Sequence, residues 1–281
     1  MEGAISVFVD IDPQTLCIDP VAVEAAITER TKAILAVDVF GHPADWTQLV
    51  QIAEEYDLIL IEDSAESLGS CLDGKPCGSF GCAAIFGFYP NKQITTGEGG
   101  MIVTDDEELA KHCRSMSNQG VSDGGWLSYE RLGYNYRMDE MSAALGLSQM
   151  ERIEDIVSAR AQVAAWYLQK MKGMDEIVLP CVAENVRMSW FVFVIQLADA
   201  FTREDRDRTI VALQARGIGC RDYFQPIHLQ PFIRERLGTD RGQFPVTETV
   251  SDRTIALPFF PQMTREQVAS VVEALKLSIP R

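Results

Sequence analysis

The 281-residue sequence has no run of eighteen apolar residues without a charge, so it offers no candidate for a membrane-spanning helix. Basic side chains are also few, because 25 Lys and Arg stand against 41 Asp and Glu and give a formal charge of −16. That charge repels nucleic-acid phosphates and acidic lipids, so neither nucleic acid nor a membrane surface is an expected partner. With 47% apolar residues, the chain is expected to be a soluble globular protein with a full core.

Metal-binding patterns and export signals are absent as well. The seven cysteines include no C-x-x-C pair, and only three scattered histidines accompany them, so the sequence predicts no metal site. The opening residues MEGAISVFVD have no basic region followed by an apolar core, as a signal peptide would, and instead predict a strand near the start. A reduced protein in the cytoplasm is the expectation from these two absences.

Three common nucleotide and hydrolase motifs are also missing. No G-x-G-x-x-G follows a predicted strand, and there is no G-x-S-x-G, so nicotinamide binding and serine hydrolysis lack their signals. The stretch GSCLDGKP (69–76) approaches a phosphate-binding P-loop, but Pro76 stands where a Ser or Thr must reach magnesium. The sequence therefore predicts none of these three chemistries.

Short apolar runs alternate with helical patterns through the first half of the chain. The runs are typical of parallel strands covered on both faces, and they are VFVD (7–10), AILAVD (33–38), LILIED (58–63), AAIFGF (83–88) and GMIVT (100–104). Helices are predicted after Asp19 and Pro20 and over residues 45–56. This order predicts an open α/β sheet whose ligand site lies beyond the carboxyl ends of the strands, where Asp38 and Asp63 are placed.

The second half predicts a change of architecture. One apolar stripe runs from Met138 to about Lys172, which predicts a single helix of ~50 Å at ~1.5 Å per residue. After it come a strand pattern and two helix patterns, at residues 190–197, 203–217 and 265–276. We therefore expect a large α/β domain over residues 1–158 and a smaller α+β domain over residues 159–281.

Lys92 and Asp63 are the candidate residues for a chemical role. Lys92 lies in FGFYPNKQITTGEGG (86–100), just after a predicted strand, while Asp63 ends another strand. Pyridoxal phosphate requires a lysine that bonds its aldehyde and a carboxylate against its pyridine nitrogen, and this pair would supply both. The alternative is that Lys92 is an ordinary surface lysine and that Asp63 caps a helix.

Four blocks of the sequence resemble successive blocks of the DegT/StrS sugar aminotransferases, which are fold-type I pyridoxal phosphate enzymes. The blocks are IEDSAESLGS (61–70), FYPNKQITTGEGGMIVT (88–104), LGYNYRMDEMSAALGLSQMERI (132–153) and YFQPIHLQPF (223–232). The resemblance implies that Lys92 carries the cofactor, that Asp63 pairs with its ring nitrogen and that Glu66 lies beside its phenolic oxygen. It also implies that Asn135 reaches the cofactor phosphate of a partner subunit, so that a homodimer is expected.

Two departures from the family pattern affect the cofactor site. Gly87 stands where many members have a serine that helps to hold the phosphate. The segment that in the family precedes VFVDID, with its Gly-Thr phosphate loop and ring-stacking aromatic, is not in this sequence, so the large domain is expected to be incomplete at its N-terminus. We therefore expect weak cofactor retention by this chain. A non-catalytic or truncated homologue stays an alternative.

The reaction implied by the resemblance moves an amino group, with glutamate as the usual donor, to a nucleotide-linked ketosugar. A pyridoxamine-dependent sugar dehydratase is the alternative enzyme, but those relatives generally carry histidine where this chain has Lys92. His228, in the IHLQP segment, lies in a block that often borders the sugar site. It is equally well explained as a packed structural histidine between apolar neighbours.

Overall fold

The computed structural model describes residues 3–121 and 128–280, and its architecture is a mixed α/β one. The strands are β1 (Ala33–Val37), β2 (Ile59–Asp63), β3 (Cys71–Leu72), β4 (Lys75–Pro76), β5 (Ala83–Gly87), β6 (Gly100–Val103), β7 (Ile177–Val178), β8 (Val186–Arg187), β9 (Phe193–Leu197) and β10 (Thr254–Leu257). The helices are α1 (Pro20–Ala26), α2 (Trp46–Glu55), α3 (Glu107–Ser117), α4 (Glu140–Met150), α5 (Ile153–Met171), α6 (Arg203–Ala215), α7 (Pro231–Leu237), α8 (Pro245–Ser251) and α9 (Arg265–Lys276).

A four-stranded sheet in the order β1-β2-β5-β6 positions the site. The first three of these strands are parallel, and β6 runs antiparallel to β5. The expected crossover helix α2 begins at Asp45, whose carboxylate accepts the N–H of Gln48, and α1 begins likewise at Asp19. The sheet is thus mostly parallel, as the alternating sequence pattern predicts.

The two acids predicted at one edge of this sheet do lie together. Val37 pairs with Asp63, and the N–H of Asp38 donates to the carbonyl of Asp63 over 3.0 Å. The carboxyl ends of β1 and β2 therefore meet at this edge, which confirms that part of the prediction.

The prediction that the strands are covered on both faces is wrong for the described residues. Ile34, Ala36 and Leu60 are buried against α2, whereas Leu35 and Ile59, on the opposite face, are 55% and 53% exposed. An almost continuous apolar run does not by itself say which face has a packing partner, because neighbouring side chains point to opposite faces.

The predicted first strand, VFVD (7–10), is also absent from the structure. These residues have no strand partner among the described residues, and Val7 is 72% exposed. Asp10 instead accepts the N–H groups of Val246 and Thr247 at 2.9 and 2.8 Å and so caps α8, which lacks a side-chain cap of its own. An N-cap of this kind stabilises a helix by about 1 kcal/mol. The apolar run thus belongs to a segment that packs on the C-terminal part.

The single long helix predicted from Met138 to Lys172 is two helices. The first ends at Met150 and the second begins at Ile153, and Arg152 between them has the non-helical angles φ −119° and ψ 17°. The apolar stripe continues through this break, because a two-residue interruption shifts a helical pattern too little to be seen in spacing alone.

The C-terminal part is built on the antiparallel sheet β10-β9-β7. Helix α5 packs on it, so that the rings of Tyr167 and Phe193 stack with centroids 4.6 Å apart and both side chains are fully buried. In a second small sheet, β4-β3-β8, residues 71–72 pair with residues 75–76 on one side and with residues 186–187 on the other. No helix in the described part of the chain is long and apolar enough to cross a membrane.

Candidate active site

The loop after β2 is held in place by Asp38, which is fully buried. Its carboxylate accepts four hydrogen bonds of 2.7 to 2.8 Å: the N–H of Ala44 and the Trp46 indole donate to Oδ1, and the hydroxyls of Ser64 and Ser67 donate to Oδ2. Because every lone-pair direction has a donor, the buried carboxylate is satisfied. Asp38 therefore fixes the loop that follows Asp63 and carries Glu66, and it is not free to act on a ligand.

Glu62 and Asp63 are neighbours in sequence, but they lie in different environments. Glu62 is fully buried and accepts the backbone N–H groups of Gly78, Phe80 and Gly81. Asp63 is half-buried at the end of the strand, and its Oδ1 accepts only the N–H of Ala65 at 3.2 Å. No side chain among the described residues donates to Asp63, so its carboxylate can accept a hydrogen bond from a ring nitrogen.

Lys92 is not a surface lysine. Its ammonium lies 3.3 Å from Oε1 of Glu66, and the two side chains are only 14% and 13% exposed. The same Nζ atom lies 4.2 Å from the centroid of the Phe191 ring, which is a cation–π contact. The structure thus places the predicted lysine in a half-enclosed site, with one carboxylate and one aromatic face against its amino group.

Glu66 is oriented from both ends. The N–H of Phe40 donates to its Oε2 at 2.9 Å, and the Gln93 side-chain amide donates to its carbonyl. Burial raises the pKa of Glu66, although the ammonium of Lys92 and the N–H of Phe40 favour the ionised form. The position of the carboxylate next to Lys92 is therefore set by the Phe40 N–H, and the backbone of Glu66 is held by the Gln93 side chain.

The turn that carries the Phe40 N–H, the donor to Glu66, requires glycine at position 41. Gly41 has φ +91°, and a Cβ there would lie 3.0 Å from the backbone nitrogens of both Trp190 and Phe191. Phe40 itself has φ 59°, and its carbonyl accepts the N–H of Phe191 at 3.1 Å. This close approach of two backbone segments brings the Phe191 ring beneath Lys92.

Gly87 lies at the end of β5, beside Lys92. A Cβ at this position would be 3.4 Å from the Cβ of Ala65 and 3.5 Å from the Cε of Lys92, which are ordinary contact distances. The position therefore has room for the serine that many members of the resembling family carry, but this chain has no hydroxyl there.

Asn135 has no hydrogen bond with these residues within the described part of the chain. It is exposed, it forms an isolated bridge with Asn118, and no hydrogen bond joins it to Lys92 within the part of the chain that the structure describes. Its neighbours Tyr134 and Tyr136 are exposed and stack on each other with centroids 5.1 Å apart.

His228 is a packed residue with an acidic partner. It is 3% exposed, its Nε2 lies 3.1 Å from Oε1 of Glu248, and its ring meets the edge of Phe244. Burial opposes ionisation of Glu248, but hydrogen bonds from Gly242, Phe244 and His228 outweigh it and lower the pKa of that carboxyl. This environment supports the structural interpretation of His228 over a role in contacting the sugar.

The geometry defines a class of enzyme. A mostly parallel α/β sheet carries the carboxylate of Asp63 at the carboxyl end of β2 and a shielded lysine, Lys92, after β5. A carboxylate and a lysine are the residue types that pyridoxal phosphate requires. Residues 1–276 match the sequence profile of the DegT/DnrJ/EryC1/StrS aminotransferase family. The chain belongs to this family, and it is a sugar aminotransferase that depends on pyridoxal phosphate.

Individual relatives agree with this assignment. The chain is 37% identical over 274 residues to GDP-perosamine synthase of Caulobacter vibrioides, covering 97% of this chain and 73% of that protein. It is 35% identical over 285 residues to the spore coat polysaccharide biosynthesis protein SpsC of Bacillus subtilis, covering 98% and 73%. Among solved structures, DesV of S. venezuelae in complex with a ketimine intermediate superimposes with a TM-score of 0.90 at 33% identity, covering 98% of this chain and 72% of that one.

Proposed function

We propose that this aminotransferase takes an amino group from glutamate and delivers it to a nucleotide-linked ketosugar. The observation that carries the proposal is the shielded contact between Lys92 and Glu66, at the sheet edge where Asp63 offers an unshared carboxylate oxygen. The name of the GDP-perosamine synthases, to which the chain is similar, supports a sugar bound to a nucleotide.

Each residue of the site has a proposed role. When bound, pyridoxal phosphate supplies a ring that accepts electrons from the carbon that loses its proton. Lys92 would bond the cofactor and, once released, move a proton between the two reacting carbons as acid and base. Asp63 would accept the hydrogen bond of the ring nitrogen, and Glu66 would hold the amino group of Lys92 in position. The backbone near Gly87 would face the cofactor phosphate.

The donor and the acceptor are tested in two separate reactions. Protein saturated with pyridoxal phosphate should convert glutamate to 2-oxoglutarate in one turnover, with loss of its visible absorbance, while aspartate and alanine should react far more slowly. The protein that has taken up the amino group of glutamate on its bound cofactor should then transfer this amino group to a GDP- or TDP-linked ketosugar but not to the free ketosugar. Release of 2-oxoglutarate followed by transfer to a free keto sugar at the same rate would contradict the nucleotide-linked substrate.

We also propose that the active enzyme is a homodimer in which Asn135 faces the site of the second copy. Exposed apolar side chains flank it in the sequence, since Leu132, Tyr136 and Met141 are 80%, 73% and 84% exposed. Patches of this kind mark interaction sites. Met141→Lys should shift the protein to monomer in sedimentation experiments, whereas Val211→Lys, on the exposed surface of α6, should not. A parent protein that sediments only as monomer at micromolar concentration would contradict the proposal.

A division near residue 158 into a large and a small domain is proposed on the distribution of the core. Buried apolar side chains form two clusters, one drawn from residues 17–72 and the other mainly from residues 163–279. Hydrogen exchange in which both clusters open as one cooperative unit would contradict this division.

The cytoplasm is proposed as the compartment, because the seven cysteines are all free.

A further inference from the structure

Arg160 is a buried cation without a carboxylate partner among the described residues. It lies on α5 and is 5% exposed, and its Nε has no hydrogen-bond partner in residues 3–121 and 128–280. Burial lowers the pKa of the guanidinium to about 10, so the group is still charged at neutral pH. A buried, unpaired charge is costly, and a fold that retains one requires a specific reason.

The reason lies in what the guanidinium bonds. Its Nη1 donates to the carbonyls of Trp190 and Phe191, both at 3.2 Å, and its Nη2 donates to the carbonyl of Lys92 at 3.3 Å. These two backbone segments are about a hundred residues apart in sequence, and Arg160 comes from a third. One planar group therefore joins the backbone that carries the lysine amino group to the backbone that carries the ring beneath it.

A second buried arginine shows what is particular to Arg160. Arg206 is 2% exposed and donates to the carbonyls of Ser251 and Thr254, at 3.1 and 3.3 Å, and to the carboxylate of Asp207. Arg206 therefore bonds backbone carbonyls in the C-terminal part in the same manner, and it also has a carboxylate as a hydrogen-bond partner. Arg160 differs because the carbonyls to which it donates belong to the backbone segments that contain Lys92 and Phe191.

We propose that Arg160 is a positioning residue for Lys92, and that its guanidinium fixes the distance between the lysine amino group and the Phe191 ring. The proposal rests on the role of Lys92 put forward above. A lysine at position 160 would keep the positive charge, but its single ammonium cannot reproduce the planar fork that bonds three carbonyls at once.

The test measures the reactivity of Lys92 without turnover. Pyridoxal, which lacks the phosphate, is added with cyanoborohydride: the lysine amine adds to the aldehyde carbon, water leaves, and hydride reduces the new C=N bond to a stable secondary amine. Peptide mass spectrometry then gives the ratio of label at Lys92 to label at Lys170. Lys170 is an exposed lysine on α5, the helix that also carries Arg160. The parent, Arg160→Met, Arg160→Lys and the matched variant Arg206→Met are compared after far-ultraviolet circular dichroism has shown which are folded.

Arg160→Met and Arg160→Lys should lower the ratio about 10- to 100-fold, because a displacement of about 1 Å at a reacting group has a cost of this order. Arg206→Met should stay within about threefold of the parent, since its carbonyls lie elsewhere. A parent ratio in either folded Arg160 variant would overturn the proposal, as would an equal fall in Arg206→Met. If both Arg160 variants fail to fold while Arg206→Met folds, the residue supports the fold and the positioning role is refuted. A parent protein without preferential label at Lys92 would instead refute the proposed role of Lys92.

Discussion

Replacing Lys92 by alanine should abolish amino transfer, with a fall in turnover of about 10³-fold or more. General acid–base catalysis by one positioned side chain alone contributes about 10²- to 10⁴-fold, and in the role proposed for Lys92 this variant would also lose the covalent bond to the cofactor. Among the described residues, the groups that contact the amino group are the Glu66 carboxylate and the Phe191 ring, and neither is an amine that could replace it. Single-turnover reaction with glutamate, followed by the absorbance of the bound cofactor, is the measurement.

Lys75→Ala is the matched control for this experiment. Lys75 is the nearest lysine that precedes Lys92 in the sequence, and its ammonium also contacts an aromatic ring, that of Phe80, at 4.5 Å from the centroid. Its removal should leave the absorbance of the bound cofactor and the turnover close to those of the parent. A Lys92→Ala protein that transfers nitrogen at the parent rate would overturn the assignment of Lys92, whatever the behaviour of the control.

The central part of the site could be predicted from sequence because it depends on where strands end. The carboxyl ends of neighbouring parallel strands meet at one edge, so Asp38 and Asp63 were brought together by topology alone. Alternation along a strand likewise separates Glu62 from Asp63, since consecutive side chains point to opposite faces. The resemblance of the motif blocks then favoured a cofactor lysine over a surface lysine at position 92.

The supporting part of the site could not be predicted, because no local pattern encodes it. Three residues, Phe40, Arg160 and Phe191, reach the site through contacts between residues far apart in sequence. The local sequence around each of them is typical of an ordinary core or helix residue. The same limit explains the error at residues 7–10, where an apolar run predicted a strand. There, pairing depends on a neighbouring strand, while Asp10 is held by the first turn of α8.

Replacing Asp63 by alanine should reduce turnover much more than it reduces cofactor binding. The carboxylate at this sheet edge has one bond from the Ala65 N–H and no side-chain donor among the described residues, so it is available to the ring nitrogen. Without it, the ring is a poorer acceptor of electrons, and loss of one such electrostatic contact costs about 10²- to 10³-fold in turnover. Binding should weaken only about tenfold, because the proposed bond to Lys92 and any contacts to the phosphate would not involve Asp63.

Asp63→Asn and Glu62→Gln make this expectation specific. Asparagine keeps the shape of the side chain but not its charge, so turnover should fall nearly as far as in the alanine variant. Glu62→Gln changes the adjacent acid, which bonds three backbone N–H groups on the other face of the strand, so thermal stability should fall while the folded protein keeps its turnover. Single-turnover rates with glutamate and cofactor titrations separate these effects. An Asp63→Asn protein with parent turnover would show that the carboxylate charge is not what activates the ring.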